Sequence, residues 1–265
     1  MLTSREPEKE AAKLVIDRLW CVNDPTSDGF ETLLPSGRAQ IIFSFQVPLD
    51  EHDPTAPQPR AGSLHVLQGP STQPRRIARA SQVSSCGVSL RPGGAGALFG
   101  PVIDQTTDKV IDLSRFWGDE AGQIQKRLKA LESHDARLDL LEAEVESRLR
   151  DLAAAALLAR GIERMRKGVA IKDVCAGEGL SPYVFRKLFV ANVGMTPKRY
   201  LRIARFRDAL GRLTPASSLS DLAFDADFAD QSHMTREIEQ FAAMTPGRLR
   251  ASNRPYAGHV RDPSA

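Results

Sequence analysis

The stretch IKDVCAGEGLSPYVFRKLFVANVGMTPKRYLR, Ile171–Arg202, has an echo in LSDLAFDADFADQSHMTREIEQFAAMTPGRLR, Leu219–Arg250. Met-Thr-Pro begins at Met195 and again at Met244, 49 positions later. Aligned backward from these tripeptides, with one extra residue after Phe228, the apolar positions of the two copies fall into register. Ile171 matches Leu219, Val174 matches Leu222, Cys175 matches Ala223 and Leu180 matches Phe228. Past the insertion, Phe185 matches Met234, Lys187 matches Arg236 and Phe189 matches Ile238. Agreement in size and polarity at seven spaced positions marks an internal repeat.

Each copy predicts a short helix, a tight turn and a second helix. In the first, Gly179 supplies the residue able to take positive φ, Ser181 is a good N-cap, and Pro182 suits the first helical position. In the second, Asp227 stands where the first has Gly179, and Asp230 or Ser232 caps the next helix. Two helices crossing at small residues, with a polar-faced second helix, describe a helix-turn-helix, whose second helix enters the DNA major groove. Thr196 and Pro197 open a helix that joins the copies. Its inner stripe is Tyr200, Ile203, Phe206 and Leu210; Thr245 and Pro246 open the last helix in the same way.

Charge sharpens this reading. Residues 1–150 hold 18 Lys/Arg against 21 Asp/Glu, and residues 151–265 hold 18 against 12. From Ser181 to Arg212 there are eight Lys/Arg and one acid, Asp208, the footprint expected of a nucleic-acid face. The second copy runs the other way: between Ser218 and Phe241, Arg236 stands alone against six acids. The first unit and the joining helix are therefore expected to supply most of the phosphate affinity.

The first hundred residues read as β. LVIDRLWCV, TLL, AQIIFSFQV, LHVLQG and QVSSCGVSL are apolar, β-branched or aromatic runs separated by PTSDG, PSG and GPSTQP. They predict a small, cupin-like β-barrel or a sandwich, with Leu49–Ser63 as a Pro-rich surface loop. GGAGALFG opens a short helix. In Ala136–Leu152, the apolar residues Leu138, Leu141, Val145, Leu149 and Leu152 form one stripe, which serves either to pack on the barrel or as a homodimer seam through Leu138, Leu141, Val145 and Leu149. The expected class is α+β, with a β-rich domain over 1–135 and a helical linker over 136–167. A double helix-turn-helix domain follows over 168–252, then a flexible tail over 253–265.

Residues 150–252 resemble the DNA-binding domain of AraC/XylS transcription regulators, through GLSPYVFRKLF, VGMTPKRYLRIARFRDAL, FADQSHMTREI and MTPGRLR. GVSLRPGGAGALFG, DKVIDLSRFWG and LLPSGRAQIIFSF are similar to the β-rich N-terminal domain of regulators in that family. The resemblance implies two recognition helices in successive major grooves and activity modulated through the N-terminal domain. By helix position, Tyr183, Arg186, Lys187, Gln231, Ser232, Thr235 and Arg236 are the candidate base readers. The family's pattern more often has Arg at Lys187. Ser181, Lys198, Arg199, Arg202 and Arg205 are the candidate phosphate contacts. Double-stranded DNA is the expected partner, RNA polymerase a further candidate, and a small-molecule effector a third, with Trp20, Phe43 and Phe45 as candidate pocket residues. A barrel that serves only as a dimerisation or protein-contact module is the alternative.

An enzyme is the main rival. Of five histidines only His52 and His65 fall in the β region, too few for a cupin-type metal set. GGAGALFG lacks the last glycine of a dinucleotide fingerprint. Cys21, Cys86 and Cys175 form no metal or disulfide signature, and Cys175 matches Ala223 of the repeat as a core position. Neither a metal nor a cofactor is expected. No apolar run is long enough for a membrane span and the N-terminus has no signal h-region, so a cytoplasmic, nucleoid-associated regulator is expected.

Overall fold

The computed structural model describes residues 2–24, 28–52, 54, 60–214, 216, 218–256 and 258–262. The β-rich part opens with β1 (Leu2–Arg5), a short helix α1 (Glu10–Lys13) and the long strand β2 (Ile16–Asn23). There follow β3 (Phe30–Leu33), β4 (Gln40–Ser44), β5 (Leu49–Glu51), β6 (Arg60–Ser63), β7 (His65–Gln68), β8 (Arg75–Ala78) and β9 (Ser84–Leu90). Helix α2 (Gly94–Phe99) and a 3-10 turn, Ile103–Thr106, lead into β10 (Val110–Asp112), α3 (Ser114–Trp117), α4 (Glu120–Ala130) and α5 (His134–Glu146). The loop expected over 49–63 is a hairpin at both ends, β5 on β6; residues 53 and 55–59 lie outside the described residues.

The expected barrel is not closed. Six strands form one antiparallel sheet in the order β1-β2-β9-β4-β7-β10, whose edges β1 and β10 do not meet. β3 and β8 pair with each other in a separate three-stranded sheet. The reason lies in the turns. Pro35 and Gly37 (φ +64°) swing the chain out of β3 before β4, and Gly69, Pro70 and Pro74 do the same between β7 and β8.

The six-stranded sheet is two-faced, as a period of two requires. Leu19, Cys21, Ile41, Phe43, Leu67, Cys86 and Val88 are fully buried on one face. Ile124 and Leu128 of α4 and Leu138, Leu141 and Val145 of α5 join them in a single core. The apolar stripe of α5 is thus spent on the sheet. Leu138, Leu141 and Val145 are each 1% exposed and Leu149 packs against the same core, so the dimer seam expected there is not available. Cys21 and Cys86, distant in sequence, are direct cross-strand neighbours, both reduced and buried. Burial pushes the Cys86 thiol well up.

A second core belongs to the remaining helices: α6 (Leu152–Arg166), α7 (Ile171–Gly177), α8 (Pro182–Val193), α9 (Pro197–Arg212), α10 (Leu219–Asp225), α11 (Gln231–Ala242) and α12 (Pro246–Ala251). Segment 136–167, expected as one linker, divides between the cores: α5 packs on the sheet, while Leu158, Ile162 and Met165 of α6 join the second core.

The expected flexible tail is a second correction. After α12 the chain returns to the β-rich part as β11 (His259–Arg261), antiparallel to β3 in the register His259↔Leu33, Val260↔Thr32 and Arg261↔Glu31. Val260 is 3% exposed, and Glu31, also buried, accepts from Arg261 Nε at 3.4 Å and bonds His259 Nδ1 at 3.0 Å. Upstream, Arg254 donates to Leu210 O at 3.0 Å and Leu213 O at 2.7 Å, satisfying carbonyls at the end of α9. Residues 263–265 lie outside the described residues.

Candidate nucleic-acid interface

The two repeats fold alike down to single hydrogen bonds. Leu180 N donates to Cys175 O at 2.9 Å, and Phe228 N donates to Ala223 O at 2.9 Å. Gly179 N donates to Ala176 O at 3.2 Å, and Asp227 N to Phe224 O at 3.1 Å. Gly179 has φ +68° and Asp227 φ +57°, so both turns use the left-handed region. Ser181 caps α8 by accepting from Val184 N; Asp230, not Ser232, caps α11 by accepting from His233 N at 2.7 Å. Thr196 and Thr245 accept from Arg199 N and Arg248 N, each at 3.3 Å, with a proline at the first helical position in both cases.

These turns aim the recognition helices. On α8, Phe185 and Phe189 are fully buried, which turns Tyr183, Arg186 and Lys187 outward; Lys187 Nζ lies 5.4 Å above the Tyr183 ring. On α11, Met234, Ile238 and Phe241 are buried; Gln231, Ser232 and Arg236 are exposed and Thr235 is half-buried. Arg186 and Arg236 are exposed, and neither makes an ion pair among the described residues. Ser181 and Lys198 are exposed as well.

The remaining candidate phosphate contacts have other work. Arg202 forms a bidentate pair with Glu237 of α11, its Nη2 at 2.7 Å from Oε1, and also donates to Gln240 Oε1 at 2.5 Å. The hydrogen bond to Glu237 raises the Arg202 pKa further, against the opposing pull of burial. Arg205 Nη1 donates to Asp227 O at 3.0 Å in the second turn, and Arg212 Nη1 donates to Asp225 O at 2.7 Å. Arg199 donates to Thr72 Oγ1, in the β-rich part, at 2.9 Å. Much of the basic weight of the joining helix therefore stitches α9 to the second unit and to the first domain. A count of charges along the sequence could not separate these arginines from those left to solvent; their lengths and partners only appear once α11 is packed on α9.

The first unit is also gripped from behind. Thr107 Oγ1 donates to Gly194 O at 2.6 Å, where α8 ends with φ +86°. Gly96 of α2 lies so close to Asn192 that a Cβ there would sit 2.0 Å from its Oδ1.

A cavity of about 1010 Å³ separates the two sheets. Trp20, Ile42 and Val66 of the larger sheet and Leu33 and Ile77 of the smaller one line it. Trp20 is accommodated by Gly87, where a Cβ would meet its ring at 2.6 Å. Of the three expected pocket residues only Trp20 faces this space. Phe43 and Phe45 are in the opposite core, because Phe43 alternates with Ile42 along β4 and Arg137 covers the Phe45 ring at 4.7 Å. Among the described residues no three His, Cys, Asp or Glu side chains gather as a metal site, and no helix is long and apolar enough to cross a membrane. His65 bonds Ser114 Oγ at 2.9 Å instead.

Two tandem units with outward recognition helices define a double helix-turn-helix DNA-binding protein. A helix-turn-helix domain family matches residues 174–252, and a domain of unknown function, DUF6597, matches residues 6–112. Residues 174–252 carry a helix-turn-helix domain of the AraC type. No curated protein matches it. Among solved structures it is similar to ToxT from Vibrio cholerae. A 1.65 Å structure shares 12% identity over 95% of this chain and 97% of that one, with a TM-score of 0.42. The unsaturated-fatty-acid-bound wild-type ToxT of strain SCE256 shares 12% identity over 94% of each chain, with a TM-score of 0.41.

Proposed function

We propose that this regulator reads its operator with the exposed N-terminal halves of α8 and α11, with Arg186 and Arg236 as the principal base readers and Tyr183, Lys187, Gln231, Ser232 and Thr235 beside them. The observation that carries this reading is that the outward recognition helix of each unit bears an exposed arginine with no ion pair among the described residues, Arg186 on α8 and Arg236 on α11. A guanidinium fork matches the N7 and O6 acceptors of guanine, so it reads sequence as well as charge. Ser181 and Lys198 contact phosphate; Arg199, Arg202 and Arg205 act as structural ties. The protein works where the chromosome lies, in the cytoplasm. The cavity between the sheets is the effector site, and its occupancy sets DNA affinity through the walls that the DNA-binding domain contributes.

The test is quantitative footprinting on a selected operator. Arg186→Ala weakens specific binding by about 1–3 kcal/mol and relaxes preference at one base position. Arg236→Ala does the same at a position one helical turn away. Lys198→Ala weakens all sequences alike and reduces the salt slope by about one. An Arg186→Ala protein with undiminished affinity and specificity would overturn the assignment.

A further inference from the structure

We propose that Cys21 and Cys86 are a site of reversible oxidation by hydroperoxides, in which Cys21 is the sulfur attacked and Cys86 closes a disulfide across β2 and β9.

The register of the sheet brings the two sulfurs together. Asp24 N donates to Val83 O at 2.8 Å, so these residues form a hydrogen-bonded pair just beyond Asn23↔Ser84 at the end of the β2–β9 ladder. Antiparallel pairs alternate in kind, and Cys21↔Cys86, three steps further in, is therefore a non-hydrogen-bonded pair. The other side of β9 agrees. Phe45 N donates to Ser84 O at 2.9 Å, which makes Phe43↔Cys86 the hydrogen-bonded kind and commits the backbone groups of Cys86 to β4. Non-hydrogen-bonded pairs hold their Cα atoms about 4.5 Å apart, inside the range of roughly 4.4–6.8 Å that a disulfide spans. The thiols are hydrogen-bonded to each other, so the bond can form with both strands where they stand.

The surroundings assign the roles. The hydrogen bond from Cys86 holds the Cys21 thiol below the ordinary cysteine range, against burial, and the charge of Arg137 acts in the same direction. The Cys86 thiol is pushed up by burial and keeps its proton. The thiolate is the nucleophile, so Cys21 reacts first. Its sulfur lies 4.0 Å from His134 O, beneath the connection between α4 and α5, where Glu132 and Ser133 are exposed. Arg137 ties that connection down by donating to Leu128 O at 3.1 Å and Leu131 O at 2.5 Å. A single turn held by side-chain bonds opens locally at less cost than the sheet below it. Such an opening admits an oxidant the size of hydrogen peroxide and obstructs a peptide disulfide. The Cys21 thiolate attacks one peroxide oxygen, the O–O bond breaks, and hydroxide leaves with the proton that Cys21 gave up, as water. The Cys86 sulfur then displaces the hydroxyl of the Cys21 sulfenic acid, which leaves as a second water with the Cys86 proton. Two thiols and one hydrogen peroxide thus give one disulfide and two waters. Paired thiols of this kind in a reducing compartment serve as transient redox sensors.

The experiment treats the reduced, folded full chain with hydrogen peroxide, then denatures it, alkylates the remaining thiols and measures intact mass and linked peptides. Cys175, buried in the other core, is the internal control. The expected product keeps a single alkylated cysteine, Cys175, carries a Cys21–Cys86 cross-link and returns to three free thiols with dithiothreitol. Oxidised glutathione is expected to give the same product on the order of tenfold more slowly, because the cover excludes it. In Cys86→Ala the reaction stops at a sulfenic acid on Cys21, which dimedone traps; in Cys21→Ala, Cys86 stays reduced. The parent measurement needs neither variant and stands if one of them fails to fold. Three alkylated thiols after peroxide, a cross-link to Cys175 or between chains, faster reaction with oxidised glutathione, or dimedone trapped on Cys86 each overturns the proposal. The assay contains no DNA, so its outcome is independent of Arg186 and Arg236 as base readers.

Discussion

The two helix-turn-helix units share a backbone and differ in what holds them. The first is docked on the β-rich domain, through Asn192 against Gly96 and Gly194 against Thr107. The second is held by α9, through Arg202 on Glu237, Arg205 on Asp227 and Arg212 on Asp225. A gene that keeps one motif twice can thus vary the attachment while conserving the turn. The difference teaches why their charges diverged. An acid on the first recognition helix would only repel DNA, whereas Glu237 on the second has a structural partner and is removed from the DNA-facing side by burial.

The strongest way to break this contrast is Arg202→Ala. It strands Glu237, whose side chain is 10% exposed, without its guanidinium partner. Loss of one member of such a pair costs about 3 kcal/mol. The expected result is a lowered midpoint in thermal unfolding, with hydrogen exchange accelerated first in α10 and α11 and later in α7 and α8. Uniform acceleration across both units would show that they are not held separately.

A somewhat smaller effect, about 2 kcal/mol, is expected of Gly96→Val, because the added side chain meets Asn192 and overpacking of this kind costs about 1–3 kcal/mol. Here the first unit loses its grip on the β-rich domain, and proteolysis between α5 and α6 quickens. DNA affinity of the isolated binding event is largely retained, since the N-terminal half of α8 is untouched. If Gly96→Val instead abolishes DNA binding at full stability, docking and reading are not separable.

The smallest effect concerns β11. Burial pushes the Glu31 carboxyl up, but its hydrogen bonds to His259 and Arg261 outweigh that and hold it below the ordinary glutamate range. A depressed folded-state pKa gives stability that is present above the unfolded value, about 4.3, and lost as pH falls through the folded one. Attachment of β11 is therefore complete at neutral pH and weakens only below about pH 4. Glu31→Gln should remove about 1 kcal/mol at pH 7 and flatten the acid limb of the melting profile. An acid limb identical to the parent's would remove Glu31 from the account.

How much of this was legible beforehand follows from the range of the forces involved. The double motif was plain, because Val174, Cys175, Phe185 and Phe189 and their counterparts are fixed by local turn chemistry and 3.6-residue periodicity. Caps at Ser181, Thr196 and Thr245 are equally local. The sheet strands with apolar runs were visible, while β8, read as RRIA, and β11, read as HVR, were not; each is short and charged, and each is a strand only because β3 lies beside it. Phe43 was misplaced for a simpler reason. Knowing that β4 alternates does not say which face meets helices and which meets the cavity. The commitments of Arg199, Arg202 and Arg205 were out of reach altogether, since long side chains choose partners across distances that sequence spacing does not encode.

The pairing of β3 with β11 has a consequence for synthesis. Glu31 is made more than two hundred residues before its neighbours His259 and Arg261, and everything that reads DNA is made in between. Contacts so far apart along the chain are the slowest to form, because a long loop must close before they repay it. The smaller sheet therefore has to wait as a two-stranded ribbon, its third place vacant, until the helical domain has emerged from the ribosome and folded. A nascent chain halted after α11 would carry both recognition helices and an unfinished wall around Trp20. In this molecule the β-rich half matures last, although it is translated first.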